Sequence, residues 1–96
     1  MEDPGLTQLS RSFTIENTLG LHLRPASQLV QIFSEFADCE VQVGVGETRV
    51  NGKSIMGLLM LEAGQGTVIT IDIAGPGADE ILQRVGEVIG ARFGED

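Results

Sequence analysis

Tryptophan and tyrosine are absent from this 96-residue chain, and cysteine and histidine occur once each. A single thiol, Cys39, excludes an internal disulfide. With one histidine and scattered carboxylates beside it, no metal-ligand set can be assembled from the sequence. Cys39 therefore reads as a buried structural thiol, and a reducing, cytoplasmic location is the expectation that follows. Aromatic residues are limited to Phe13, Phe33, Phe36 and Phe93, so the core must be largely aliphatic. Basic residues are also scarce, six against fourteen acidic ones, for a net charge of −8. That balance argues against nucleic-acid or anionic-membrane partners and favours partners with basic patches. No apolar run approaches the length of a membrane span. The first residues carry Glu2 and Asp3 without a basic segment, unlike a signal peptide. With Pro4-Gly5 they read as a flexible leader over residues 1–10, leaving residues 11–96 as one domain.

What is present is clear periodicity. Ser12-Phe13-Thr14-Ile15-Glu16-Asn17 alternates apolar and polar, the pattern of a half-buried strand. After Thr18-Leu19-Gly20, apolar residues recur at steps of three and four from Leu23 through Ala26, Leu29, Phe33, Phe36 and Ala37. This predicts an amphipathic helix that ends near Asp38. Val41, Val43 and Val45 share one face of a second strand, and Gly46-Glu47 turns it into a third, Thr48-Arg49-Val50. Ser54 is an N-cap candidate for a short apolar helix over Ile55 to Leu61. Ile69, Ile71 and Ile73 mark the clearest strand. Gly75-Pro76-Gly77 breaks the chain before a last helix from Ala78, with Ile81, Leu82, Val85, Val88 and Ile89 on its apolar face. Asp79 and Glu80 suit the first turn of that helix and Arg92 its last. Hairpin-type strands with helices on one face predict an α+β two-layer sandwich.

The candidate chemistry gathers at Gly20-Leu21-His22-Leu23-Arg24-Pro25-Ala26, where His22 precedes a predicted helix. A neutral imidazole supplies a nucleophilic nitrogen. The first backbone N–H groups of the helix, those of Leu23 and Arg24, and the positive end of its dipole suit an anion such as phosphate. Arg24 adds a guanidinium, and Pro25 fits a first helical turn without forfeiting a hydrogen bond. A plain surface cap is the alternative role for His22. The run Ile55, Met56, Leu59 and Met60 holds more apolar side chains than one short helix can bury, so part of it is expected to form an exposed patch. Leu58 and Leu61 read as core.

The His22 segment resembles the phosphohistidine motif of HPr, the phosphocarrier family of the bacterial phosphotransferase system, with Leu23 where the family usually has alanine. Val50-Asn51-Gly52-Lys53-Ser54-Ile55-Met56-Gly57-Leu58 resembles the family's regulatory-serine region. The resemblance spans roughly residues 11–93, in the family's order of elements, and implies the family's α+β fold: a two-layer open-faced sandwich with a four-stranded antiparallel sheet covered on one face by helices. It implies that His22, through Nδ1, accepts a phosphoryl group from phosphorylated enzyme I and passes it to enzyme IIA domains, with Arg24 as the supporting cation. It further implies regulatory phosphorylation of Ser54 by an HPr kinase/phosphorylase in organisms that have one. The plain alternative for Ser54 is an N-cap. Leu19, Leu23, Ile55, Met56 and Leu59 are the implied docking contacts. The implied molecule is a monomeric phosphoryl carrier with no bound cofactor, not a turnover enzyme, its phosphoryl group originating from phosphoenolpyruvate.

Leu19 and Leu23 depart from the family pattern and leave open whether a sugar-system or a nitrogen-related branch is served. Two other functional classes stay open on the sequence. One is a regulatory binding module acting through Ser54 and the Ile55/Met56 patch without sugar phosphorelay. The other is a small-ligand-sensing domain, for which no pocket motif is visible.

Overall fold

A computed structural model describes residues 8–95. The element order is β1 (Gln8–Thr14), α1 (Leu23–Ser34), β2 (Glu40–Val45), β3 (Thr48–Asn51), α2 (Ile55–Met60), β4 (Val68–Ala74) and α3 (Ala78–Gly90), followed by a 3-10 turn, Arg92–Gly94. The strands form one antiparallel sheet in the order β1-β4-β2-β3. β4 lies between β1 and β2, with Phe13 opposite Ile69 and Val43 opposite Ile71.

The alternation seen in the sequence decides which face is covered. Val41, Val43, Ile69, Ile71 and Ile73 are buried, while Gln42 lies exposed on the other face. A strand places successive side chains on opposite faces, so one face of the sheet carries the helices and the other stays open. The helices answer with Ala26, Leu29, Ile32 and Phe33 of α1 and Ile81, Leu82, Val85 and Ile89 of α3, all buried in the same core. This is the expected open-faced α+β sandwich. The core is aliphatic apart from Phe33 and Phe93. Cys39 is buried in it, its thiol donating to the Pro76 carbonyl at 2.8 Å. Burial pushes the thiol pKa up, against a smaller pull from nearby Lys53, as expected for a structural rather than a reactive cysteine.

Several boundaries differ from the sequence reading. β1 begins at Gln8, so residues 8–10 belong to the sheet and not to a leader; residues 1–7 lie outside the described residues. Pairing with β4, down to Gln8 opposite Ala74, extends the strand where its own residues are mostly exposed and give little periodic signal. The same strand stops at Thr14, before Ile15 and Asn17, which are buried in the turn that follows. α1 ends at Ser34 rather than near Asp38. The N–H groups of Glu35 and Phe36 turn back to the carbonyls of Ile32 and Phe33, tightening the last turn. The Lys53 ammonium, distant in sequence, then takes the Phe36 and Cys39 carbonyls at 2.9 and 2.7 Å. Arg92 falls beyond α3, which ends at Gly90. It lies in a left-handed turn, with φ of 55° at both Arg92 and Phe93 and 75° at Gly94. The buried Phe93 side chain anchors that turn. No helix among the described residues is long and apolar enough to cross a membrane.

Candidate functional site

Gly20 sets the geometry of the loop that carries His22. Its φ is +71°, and a Cβ there would stand 2.6 Å from the Ala63 carbonyl oxygen and 2.8 Å from Gly64 Cα. Only glycine accepts both the angle and the contact. The close approach lets the Ala63 carbonyl accept the Leu21 N–H at 2.8 Å, tying the loop to the segment after α2. Leu21 is buried, and His22 is brought to the edge of the core with 35% of its side chain exposed.

His22 is the N-cap of α1, in extended conformation (φ −87°, ψ −168°), and its carbonyl accepts the Ala26 N–H at 3.0 Å. Its side chain makes no capping bond to the helix. The N–H groups of Leu23 and Arg24 therefore lie ahead of the first helical hydrogen bond, aimed out of the N-terminus beside the imidazole. Arg24 is exposed and bonds to no described residue, so its guanidinium is free to meet an anion. The helix boundary at Leu23 makes His22 the residue before these two N–H groups and puts Arg24 in the first turn.

The imidazole is held from its other side. His22 Nε2 lies 2.7 Å from Glu95 Oε2. An ionised carboxylate can only accept, so against one Nε2 carries the proton, and in the neutral ring the lone pair is then on Nδ1. Glu95 in turn accepts from Asn17 Nδ2 at 2.9 Å through its other oxygen. The same Asn17 Nδ2 donates to the Gly20 carbonyl at 2.8 Å. Asn17 is fully buried, the only polar side chain among the buried described residues, and its Oδ1 has no partner among them. Neither Asn17 nor Glu95 was legible as a site residue. Asn17 continues a strand pattern, and Glu95 reaches the site only because the turn after α3 folds back, with the Phe93 carbonyl accepting from Gln28 of α1 at 3.1 Å.

Ser54 caps α2, its Oγ accepting the Gly57 N–H at 3.0 Å. Part of the apolar run of α2 is exposed, as are two leucines of the His22 loop. Leu19 (71%), Leu23 (60%), Met56 (69%) and Met60 (72%) are open to solvent. Ile55 and Leu59 are less open: both pack partly buried against the core, on the same face of α2 as buried Leu58. Helical periodicity turns Met60, one turn after Met56, outward in their place. Leu61 is core, as expected. Among the described residues no group of three or more His, Cys, Asp or Glu could hold a metal ion.

The chain is similar to known proteins over most of its length. Residues 9–91 match the family model described as "PTS HPr component phosphorylation site". The chain is 42% identical over 90 residues to phosphocarrier protein NPr of Shewanella violacea, covering 94% of this chain and 98% of that one. It is 44% identical over 87 residues to phosphocarrier protein HPr of Neisseria meningitidis, covering 91% and 97%. Among solved structures, HPr-C-His from Thermoanaerobacter tengcongensis superposes with a TM-score of 0.86 at 34% identity, covering 92% of this chain and 98% of that one.

Proposed function

The chain belongs to the HPr family of phosphocarrier proteins, which carry phosphoryl groups rather than turn over substrates, and we propose that His22 is its phosphoryl acceptor. The observation that carries this reading is His22 at the N-cap of α1, its Nε2 engaged by Glu95 and its ring making no bond to the helix, just ahead of the N–H groups of Leu23 and Arg24. The donor is phosphorylated enzyme I. The Nδ1 lone pair attacks its phosphorus. The new N–P bond forms as the donor's bond to phosphorus breaks, and that electron pair returns to the donor atom. The helix N-terminus and the Arg24 guanidinium supply fixed positive ends where the phosphoryl oxygens arrive. An exposed guanidinium and two backbone N–H groups hold the anion without burying it, which suits a carrier that must release its cargo. The acceptor is an enzyme IIA domain, reached by the reverse of the same exchange. No bound cofactor and no metal enter the step, and the compartment is the cytoplasm.

Docking to both partners falls to Leu19, Leu23, Met56 and Met60, the exposed apolar side chains of the His22 loop and α2. Met side chains adapt their shape to more than one partner surface. A monomer presents this one surface to donor and acceptor in turn. Ser54 is the regulatory site. Its Oγ already accepts the Gly57 N–H, and a phosphoryl group there would add about two negative charges next to the docking methionine Met56.

Incubation with enzyme I, Mg²⁺ and phosphoenolpyruvate, followed by intact mass and mild acid, tests the reading. One added phosphate that is lost in acid, and that is absent from His22→Ala, is the expected result. Labelling that survives His22→Ala would overturn it.

A further inference from the structure

We propose that Met56 and Met60 are sites of reversible oxidation, and that converting their thioethers to sulfoxides with a peroxide weakens docking of the chain to enzyme I. This rests on the reading of both side chains as docking contacts. The observation behind it is where the oxidisable side chains lie. The sequence has no tryptophan or tyrosine, one cysteine and three methionines. Met1 lies outside the described residues. Cys39 is 3% exposed, and its thiol donates to the Pro76 carbonyl at 2.8 Å. Burial also pushes that thiol's pKa up, which lowers the share of thiolate that a peroxide attacks. Met56 and Met60 are the reverse case, at 69% and 72% exposed. Among the described residues, then, the sulfur-bearing side chains open to water both lie on α2, one helical turn apart.

Their position gives oxidation a selective effect. Leu58 is buried, Ile55 and Leu59 lean on the core, and Ser54 caps the first turn, so α2 is held in place without the two methionines. The His22 loop is tied to the segment after α2 by the Leu21 N–H and the Ala63 carbonyl, and Leu19 and Leu23 are exposed there. Oxidation starts when a sulfur lone pair attacks one peroxide oxygen. The S–O bond forms as the O–O bond breaks, and the departing hydroxide takes the proton that the transferred oxygen gives up. Sulfur is oxidised by two electrons, and the peroxide is reduced, leaving one sulfoxide and one water. A dithiol reductase reverses the change: two thiols become a disulfide, and the sulfoxide oxygen leaves as water. In the free chain the new S=O group is hydrated, so the fold is unaffected. Against an apolar partner surface it must be stripped of water without gaining a donor, and binding weakens.

The test treats the full chain with hydrogen peroxide and follows it by intact mass and peptide mapping. Met56 and Met60 should each gain one oxygen before Cys39 is modified, with the urea midpoint nearly unchanged. In calorimetric titration the oxidised chain should bind unphosphorylated enzyme I about fivefold or more weakly than the untreated chain. In phosphoryl transfer its KM should rise by a similar factor, with kcat changed less than about twofold. Treatment with the two methionine sulfoxide reductases, one for each sulfoxide epimer, should restore the affinity. The double variant Met56→Leu, Met60→Leu keeps Met1, Cys39 and His22, and peroxide should leave its own affinity where it started. Sulfoxides at both positions with an unchanged affinity would overturn the proposal. So would a peroxide-induced loss of affinity that persisted in the double variant. The titration involves no phosphoryl transfer. A chain that bound enzyme I but took no label would therefore sink the carrier reading while the test of the methionines still stood. A chain that failed to bind before treatment would overturn the docking reading and this proposal with it.

Discussion

The ammonium of Lys53 donates to the carbonyl of Cys39 at 2.7 Å, joining the start of α2 to the end of the loop that follows α1. A second bond from the same nitrogen reaches the Phe36 carbonyl at 2.9 Å. One side chain thereby bonds two carbonyls beyond the end of α1, that of Phe36 also accepting the Cys39 N–H at 3.0 Å, and it fixes the residue next to Ser54. Lys53→Met keeps most of the stem and removes both bonds. It should cost about 1–3 kcal/mol, seen as a lower urea midpoint with an unchanged slope.

Gly20→Ala tests the loop that carries His22. The substitution places a Cβ against the Ala63 carbonyl at a φ that favours glycine. A loss of about 2–4 kcal/mol is expected in denaturant titration. His22 should also lose its contact with Glu95, because the Gly20 carbonyl is one of the anchors of Asn17.

Ser54 separates two roles by chemistry. Ser54→Ala deletes the acceptor for the Gly57 N–H and should cost about 1 kcal/mol. Ser54→Asp restores an N-cap oxygen and should recover most of that stability, while its charge weakens transfer from enzyme I. If both variants lowered stability equally, a simple cap at this position would be the wrong account.

Met56 and Met60 are exposed, so replacing them with Asp should leave stability within about 0.5 kcal/mol. The same changes should raise the KM of enzyme I for this chain about fivefold or more. Ile55→Ala and Leu59→Ala should do the opposite, losing stability first, because these side chains lean on the core.

Arg84 donates to both carboxylate oxygens of Glu35 at 2.9 Å, and this hydrogen bonding holds Glu35 below its usual value of 4.5. A carboxyl with a depressed folded pKa stabilises the fold above its unfolded pKa and loses that contribution as pH falls through the folded one. The stability gap between the unaltered chain and Arg84→Met should therefore be wider at about pH 7 than at about pH 3. Both groups lie at the surface, so added salt should narrow the gap as well. Equal gaps at the two pH values would show that Arg84 acts through its packing over the Phe36 ring instead.

The amino-acid order determined a great deal of this protein without help. Alternation in Val41, Val43, Ile69, Ile71 and Ile73, and the three-and-four spacing from Ala26 to Phe33, were enough for the layers of the fold, because each pattern has one face that must leave water. His22, Arg24 and the helix N-terminus were legible because they are adjacent in sequence and their chemistry is local. Ser54 as a cap was legible for the same reason. Only the tertiary structure decided the rest. Asn17 and Glu95, 78 positions apart, meet because a strained turn after α3 folds back onto the start of α1. α1 stops early partly because a lysine from beyond β3 takes its trailing carbonyls. Ile55 and Leu59 turn inward while Met60 turns outward because α2 has neighbours on one side only. Each of these depends on contacts between distant segments, and periodicity along a single segment carries no record of which distant partner will arrive.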